Sequence, residues 1–312
     1  LYELKNRAAG ADMPDVAVVD LREELKQGNR SIFSRKLKEL IEDRIRKKQQ
    51  IMLFLNKRGY AGFISCRSCG YVMKCPHCDI SLTAHNNGRL VCHYCGYQTG
   101  SVKLCPKCGS RYISGFKAGT QQVEEMLKKT FPGIRVLRMD MDTTSGKDGH
   151  EKIISEFAAH NADVLVGTQM IVKGHDFPDV TLVGVLAADM SLYTSDFRAG
   201  ERTFQLLVQA AGRAGRGRKA GIALIQTYMP EHYSIQTAAA QDYAAFYRQE
   251  MGYRKLMHYP PVCHMLCMQV AGEDEELMSR IMDAIAQSVQ KHFGETAEII
   301  GPVFAPVYKV HD

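Results

Sequence analysis

The sequence lacks a phosphate-binding loop. None of its 312 residues spells G-x-x-x-x-G-K-[ST]. Ser145-Gly146-Lys147-Asp148 comes nearest, but misses both the upstream glycine spacing and the hydroxyl that should follow the lysine. By itself, then, the chain shows no signature for cradling a nucleoside triphosphate. An acidic string, Glu273-Asp274-Glu275-Glu276, is present but opens an amphipathic helical pattern, where carboxylates favour the helix dipole. There is no apolar run of membrane-spanning length, so a soluble protein with no membrane partner is expected. No secretory signal is visible, which argues against disulfides and suits a reducing cytoplasm. Apart from the cysteine pairs there is no internal repeat. The chain starts on Leu1 and stops on Val310-His311-Asp312, which reads as a piece of a larger protein.

What the chain does have is cysteine in an ordered arrangement. Eight of its 10 cysteines fall in four Cys-x-x-Cys pairs, Cys66/Cys69, Cys75/Cys78, Cys92/Cys95 and Cys105/Cys108. Each pair sets two thiolates on one side of a tight turn, and two pairs complete a tetrahedron around zinc. Eight thiolates therefore predict two Zn2+ sites. The segment from Asp79 to Val91 carries an Asn86-Asn87-Gly88 turn between short apolar stretches and reads as a hairpin. That favours an inner site from Cys75, Cys78, Cys92 and Cys95, nested inside an outer site from Cys66, Cys69, Cys105 and Cys108. Sequential pairing is the alternative. His77, His85 and His93 read as solvent-facing residues of the turns.

With 45% hydrophobic residues the chain can bury a full core, and a net charge of +6 permits nucleic acid binding without requiring it. Short runs rich in Val, Ile and Leu predict strands at 51–55, 135–139, 164–167, 181–186 and 222–226. Helical patterns lie between them at 32–47, 121–129, 151–160, 201–209 and 232–248, with Ser31 and Thr120 placed to cap the first two. This alternation predicts an α/β fold with a parallel sheet. After Tyr259-Pro260-Pro261 come an expected strand at 264–270, a helix at 273–292 and a strand at 298–304. These read as the start of a small α/β carboxyl-terminal domain.

The chemistry outside the cysteines centres on Gln209-Ala210-Ala211-Gly212-Arg213-Ala214-Gly215-Arg216, two arginines three apart among small residues. Guanidinium forks suit phosphate oxygens. Upstream, the string from Val164 to Pro178 runs from a buried strand into a Gly-Thr turn and then a Lys-Gly-x-Asp turn. We place both at the carboxyl end of the sheet, where parallel sheets hold ligands. In this order the set resembles motifs V and VI of the superfamily 2 helicases. Ile51 to Tyr60 resembles motif IV, and Gly119-Thr120 the Gly-Thr turn that follows it. A double-zinc insertion directly after motif IV, with Asp196-Phe197-Arg198 further on, resembles the primosomal N′ family of replication-restart helicases.

That resemblance implies a RecA-like helicase lobe 2 over 31–64 and 115–250. It also implies an inter-lobe linker over 1–30, an inserted zinc module over 65–114, and the opening of a carboxyl-terminal domain over 251–312. Arg213 and Arg216 become γ-phosphate contacts, with Arg216 the finger and Gln209 orienting water or phosphate. Gly174 and Asp176 line the nucleotide cleft, and Thr168, Arg58 and Thr120 touch DNA. ATP and Mg2+ belong to the full-length protein. The implied partners are single-stranded and forked DNA, single-strand-binding protein and replicative-helicase loading proteins, in a bacterial cytoplasm at the nucleoid. Translocation is expected to run 3′ to 5′, and this piece alone is expected to be inactive as an ATPase. Tyr60, Phe63, Tyr94 and Tyr97 either stack bases or form the zinc module's small core. The rival readings are a zinc-bearing DNA- or protein-binding adaptor on a degenerate lobe, and another superfamily 2 helicase.

Overall fold

The apolar runs that punctuate the sequence become strands of one parallel sheet. The computed structural model describes residues 13–55, 63–85, 88–115, 119–144, 149–172, 177–217 and 219–305. The chain opens with β1 (Asp15–Asp20), α1 (Leu21–Lys26), α2 (Arg35–Arg46) and β2 (Gln50–Leu55). The cysteine-rich stretch holds β3 (Ser65–Cys66), β4 (Thr83–Ala84), β5 (Arg89–Val91), β6 (Gln98–Gly100) and β7 (Ile113–Ser114). Next come α3 (Thr120–Thr130), β8 (Val136–Met139), α4 (Met141–Thr144), α5 (Gly149–Ala158), β9 (Val164–Gly167), β10 (Val180–Leu186), α6 (Ala199–Ala211) and β11 (Ile222–Thr227). Helices α7 (Tyr233–Ala239), α8 (Tyr243–Leu256) and α9 (Glu275–Phe293) complete the series.

Six strands pair in the order β1-β11-β10-β2-β9-β8, and every pairing is parallel. Strands β2, β9 and β10 are buried along their whole length, as strands covered on both faces must be. One face packs Leu37 and Ile41 of α2 and Val123 and Leu127 of α3 against Leu53, Val166 and Leu182. The other packs Phe157 of α5, Phe204 and Leu207 of α6, Ile235 of α7 and Phe246 of α8 against Met52, Phe54 and Val183.

Several local expectations change. Ser34, not Ser31, caps α2 by accepting the Leu37 amide at 3.1 Å, a bond worth about 1 kcal/mol. Ser31 instead accepts from Phe33 in a local turn. Gly119, not Thr120, caps α3. The single helix expected over 232–248 is two, broken at Gln241 (φ +55°), after which Asp242 caps α8. The run from Val16 to Leu21, expected inside a linker, gives strand β1, which pairs with β11 through all six of its residues. The expected strands at 264–270 and 298–304 are irregular. Among the described residues neither has a pairing partner, and a lone strand leaves its backbone donors and acceptors to water. Between them α9 does form, with no buried residue along it.

Candidate metal centre and arginine loop

Each Cys-x-x-Cys pair folds into the same turn. The amides of Cys66, Cys75, Cys92 and Cys105 donate to the carbonyls of Tyr71, Ile80, Tyr97 and Ser110, five residues on, at 2.7–2.9 Å. The amides of Gly70, Asp79, Gly96 and Gly109 return to the carbonyls of those same cysteines at 2.8–3.0 Å. The returning residue has φ between +49° and +77°, the left-handed region glycine reaches without cost, and only Asp79 departs from glycine there.

Two groups of four thiols result. Cys66, Cys69, Cys105 and Cys108 form one, and Cys75, Cys78, Cys92 and Cys95 the other, with the sulfurs of each group within 4.8 Å of one another. This is the nested arrangement. Sulfur separations of 3.7 Å (Cys66–Cys108), 3.6 Å (Cys69–Cys105) and 3.5 Å (Cys75–Cys95) fit a metal tetrahedron. Four bonds of about 2.3 Å would set sulfurs about 3.8 Å apart. These are two zinc-binding sites, each built from four cysteines. None of the three histidines joins either group; His85 and His93 instead face each other, Nε2 to Nε2, at 3.1 Å. As free thiols, Cys69 is pushed up by burial to about 12 and Cys92 to about 11, and Cys78 rises further. At Cys105 burial is outweighed by the amides of Cys108 and Lys107, and the thiol falls to about 7. Zinc binds thiolates, so loading these sites displaces protons.

The module closes at its base, where β3 and β7 pair antiparallel, so the chain leaves beside the point where it came in. Its hairpin of β4 and β5, extended by β6, is the one expected between the inner cysteine pairs. It docks on the segment between β10 and α6. Phe63 packs on Tyr193 with ring centres 4.9 Å apart. The Ser195 hydroxyl donates to the Ser81 carbonyl at 3.0 Å and lies 3.1 Å from that of Thr83. Phe197 offers its amide to the Tyr94 hydroxyl at 3.4 Å and stacks on Tyr259 at 5.0 Å. Tyr259 donates to the Cys78 carbonyl at 2.8 Å. Phe63 and Tyr94 therefore serve packing at this junction, and Tyr60 lies outside the described residues. Arg254 backs the junction: it is held by Glu250 at 2.8 Å and Glu201 at 2.6 Å, and it lies over the Phe197 ring.

Arg213 and Arg216 follow the end of α6 at the opposite, amino-terminal edge of the sheet. The Gly215 amide donates to the carbonyl of Val180, the first residue of β10, at 2.9 Å. Gly215 has φ +66°, and a Cβ there would sit 2.5 Å from the Gly221 nitrogen, so only glycine lets the loop close on the start of β11. Arg213 and Arg216 are half-buried, and the Arg216 Nε donates back to the Gly212 carbonyl at 2.9 Å. Gln209 is exposed one turn earlier on α6. Gly174 and Asp176 lie outside the described residues, as does Arg58. The chain is described again from Phe177, and a Cβ on Gly217 would meet the Pro178 carbonyl oxygen at 2.5 Å, so the arginine loop abuts the segment that follows Asp176.

Thr168 and Thr120 are at the carboxyl edge. Thr168 follows β9 and begins a short 3-10 turn, Gln169–Val172. Thr120 is buried, its hydroxyl given to Asp140 at 2.5 Å, and Arg138 lies 3.0 Å from the same carboxylate. Burial pushes the Asp140 carboxyl up, but Thr120, the Thr143 amide and Arg138 outweigh it and hold it below the usual carboxylate range. The Lys-Gly-x-Asp turn, expected at the carboxyl end of the sheet, lies outside the described residues. The structure separates Thr168 from the arginine loop by the length of β10, seven residues or about 20 Å. One small ligand does not reach both. Spacing gave no sign of the Tyr193–Phe197 bracket or of Arg254. Tyr259 is 181 residues from the cysteine whose carbonyl it binds.

Comparisons agree with this architecture. The family model "Helicase conserved C-terminal domain" matches residues 110–218, and "PriA DNA helicase Cys-rich region (CRR) domain" matches 75–99. The Replication restart protein PriA of Bacillus subtilis (strain 168) is 50% identical over 313 residues, which is 100% of this chain and 39% of that protein. The protein of the same name from Synechocystis is 44% identical, covering 99% of this chain and 38% of the relative. That from Haemophilus influenzae is 36% identical, covering 98% and 42%. The chain thus spans about two fifths of the length of these relatives. Among the described residues no helix is long and apolar enough to cross a membrane.

Proposed function

Since the chain belongs, over the stretch it spans, to the replication restart protein PriA family, we propose that it is the carboxyl-terminal part of an ATP-dependent 3′-5′ DNA helicase that recognises stalled forks and restarts replication. The observation that carries this reading is the division of the lobe into two working edges. The amino edge displays Arg213 and Arg216 on a glycine-locked loop, and the carboxyl edge bears Thr168 and the zinc module.

A γ-phosphate gathers charge on its outer oxygens as it is transferred, and a guanidinium placed there lowers the barrier. Arg213 and Arg216 are suited to that role toward ATP and Mg2+ held by another part of the intact protein. Gln209, exposed near the end of the helix that leads into their loop, would orient water or phosphate, and Gly174 and Asp176 would line the cleft. Thr168, Arg58 and Thr120 are the proposed DNA contacts. For Thr120 the contact runs through the backbone at the start of α3, because its hydroxyl is already given to Asp140. Lobe closure on ATP and release after hydrolysis would step the motor along single-stranded DNA. The proposed partners are forked DNA, single-strand-binding protein and the proteins that load the replicative helicase, in the bacterial cytoplasm at the nucleoid. The domain limits are proposed as 31–64 and 115–250 for the lobe, 65–114 for the zinc module and 251–312 for the carboxyl-terminal portion. The lobe's sheet also takes in β1 at one of its two edges, so the lobe begins before residue 31.

Hydrolysis by this chain alone, set beside hydrolysis by the intact protein with single-stranded DNA, tests the reading. We expect turnover and 3′-5′ unwinding only from the intact protein. Turnover by the isolated chain at a comparable rate would overturn it.

A further inference from the structure

A groove runs between the outer zinc site and α1. Arg30, Arg67, Tyr112 and Tyr228 line it, over a floor that includes Leu21 and Leu25. A shallow depression adjoins it, sharing Arg67 and Tyr228, and extends to Tyr193. Tyr193 is 6% exposed, and its hydroxyl has no hydrogen-bond partner among the described residues.

Arg67 is half-buried and Arg30 is exposed. The half-buried Arg22 and Arg138 and the buried Arg254 are each matched to a carboxylate. Among the described residues, neither Arg30 nor Arg67 has a side-chain hydrogen bond or ion pair. The guanidinium of Arg30 rests 5.8 Å from the centre of the Tyr112 ring. The backbone amide of Arg67 bonds to the Tyr112 carbonyl at 2.8 Å, which fixes the arginine beside the tyrosine. Asp189, which lines the adjoining depression, is already engaged by the Thr227 hydroxyl and the Tyr228 amide. Tyr112 is 45% exposed, so its ring is open to a ligand. Around it, residues 101–115 carry Lys103, Lys107 and Arg111 and no acidic residue.

Unmatched guanidinium forks beside open aromatic rings complement phosphates joined to flat bases. An acidic peptide would satisfy the forks but offers no flat face to the rings. We propose that this groove is a sequence-neutral nucleotide subsite for single-stranded DNA, with Arg30 and Arg67 on phosphate and Tyr112 beneath a base. The proposal rests on the reading of the intact protein as a DNA motor, and names a contact which that reading leaves open.

Fluorescence anisotropy of labelled oligothymidylate with the intact protein tests it. Tyr112→Ala should weaken binding about tenfold, in line with the loss of one stacked base. Arg67→Ala and Arg30→Ala should each weaken binding and lower the slope of log K against log salt by about 0.7, while Arg67→Lys keeps the slope. Two zinc ions per chain in every variant would show that the module remains folded. If the wild type binds and the variants bind equally well with unchanged slopes, the subsite is wrong and the DNA reading stands. If the wild type fails to bind at low salt, both fall. Displacement of DNA by oligoglutamate as effective as by unlabelled oligothymidylate would overturn the nucleotide assignment in favour of an acidic peptide.

Discussion

Replacing Arg254 with methionine should strongly destabilise the helical layer. The side chain is 9% exposed, with its Nε 2.8 Å from Glu250, itself 5% exposed, and its NH2 group 2.6 Å from Glu201. It also donates to the Pro260 carbonyl at 2.8 Å, next to the tyrosine that binds the inner zinc turn. Methionine fills similar volume but removes the charge. Glu250 is then left buried with the Tyr233 hydroxyl, at 2.7 Å, as its remaining donor. Breaking a buried pair from one side costs about 3–5 kcal/mol. For a cooperative unit of this size, about 2–4 °C per kcal/mol gives a drop of roughly 10 °C in melting temperature. Circular dichroism melts of the wild type, Arg254→Met, Glu250→Gln and the double variant close a cycle. We expect a coupling of about 1–3 kcal/mol between the two residues. A fall under roughly 2 °C for Arg254→Met, or a coupling near zero, would refute the view that a buried ion pair braces this junction.

Three further outcomes follow from the same structure. Cys75→Ser should lower bound zinc from two ions to one, read by a colorimetric chelator after unfolding, because its group is separate from that of Cys66. Retention of both ions would contradict two independent four-thiol sites. Gly215→Ala should cost about 2 kcal/mol or more in urea unfolding, since left-handed strain adds to a contact of 2.5 Å with Gly221. Gly28→Ala, at φ +87° with nothing within 4 Å, should cost only the strain, about 1–2 kcal/mol, and equal losses would contradict the packing argument. His232 is lowered from 6.5 to about 4, chiefly by burial and then by Lys74. Between those values the unfolded chain binds a proton that the folded chain does not, so stability should fall as pH drops from about 6.5 to 4, by up to about 3 kcal/mol. His232→Asn keeps a capping acceptor for Ser234 and should flatten that slope; an unchanged slope would count against the assignment.

The interior of the sheet was legible because strands buried on both faces must be apolar throughout, and β2, β9 and β10 are. The nested thiols were legible because spacing is the chemistry: a two-residue gap makes the turn, and the hairpin decides which turns meet. Strand β1 escaped because Val16 and Val18 are only partly buried at the sheet's edge, so its pattern resembles that of a loop. The break in the helix over 232–248 escaped because Ala238, Ala239 and Ala240 favour helix, and the interruption rests on one left-handed residue, Gln241. The edge that carries the arginines is a matter of topology. Motif order runs along the chain, whereas β10 brings the chain back to the edge of Thr168 and α6 then carries it to the other edge, where Arg216 lies. The docking of the zinc module, from Ser195 to Ser81 and Tyr259 to Cys78, joins residues more than a hundred positions apart and left no local trace.

The separation of the two edges is tested most directly by Arg216→Ala in the intact protein, with DNA-stimulated ATP turnover and single-strand affinity read side by side. We predict that turnover falls by about 10³-fold or more while affinity for oligothymidylate stays within a factor of about two, because the arginine lies about 20 Å from the carboxyl edge. Undiminished turnover, or parallel loss of turnover and DNA binding, would contradict the account.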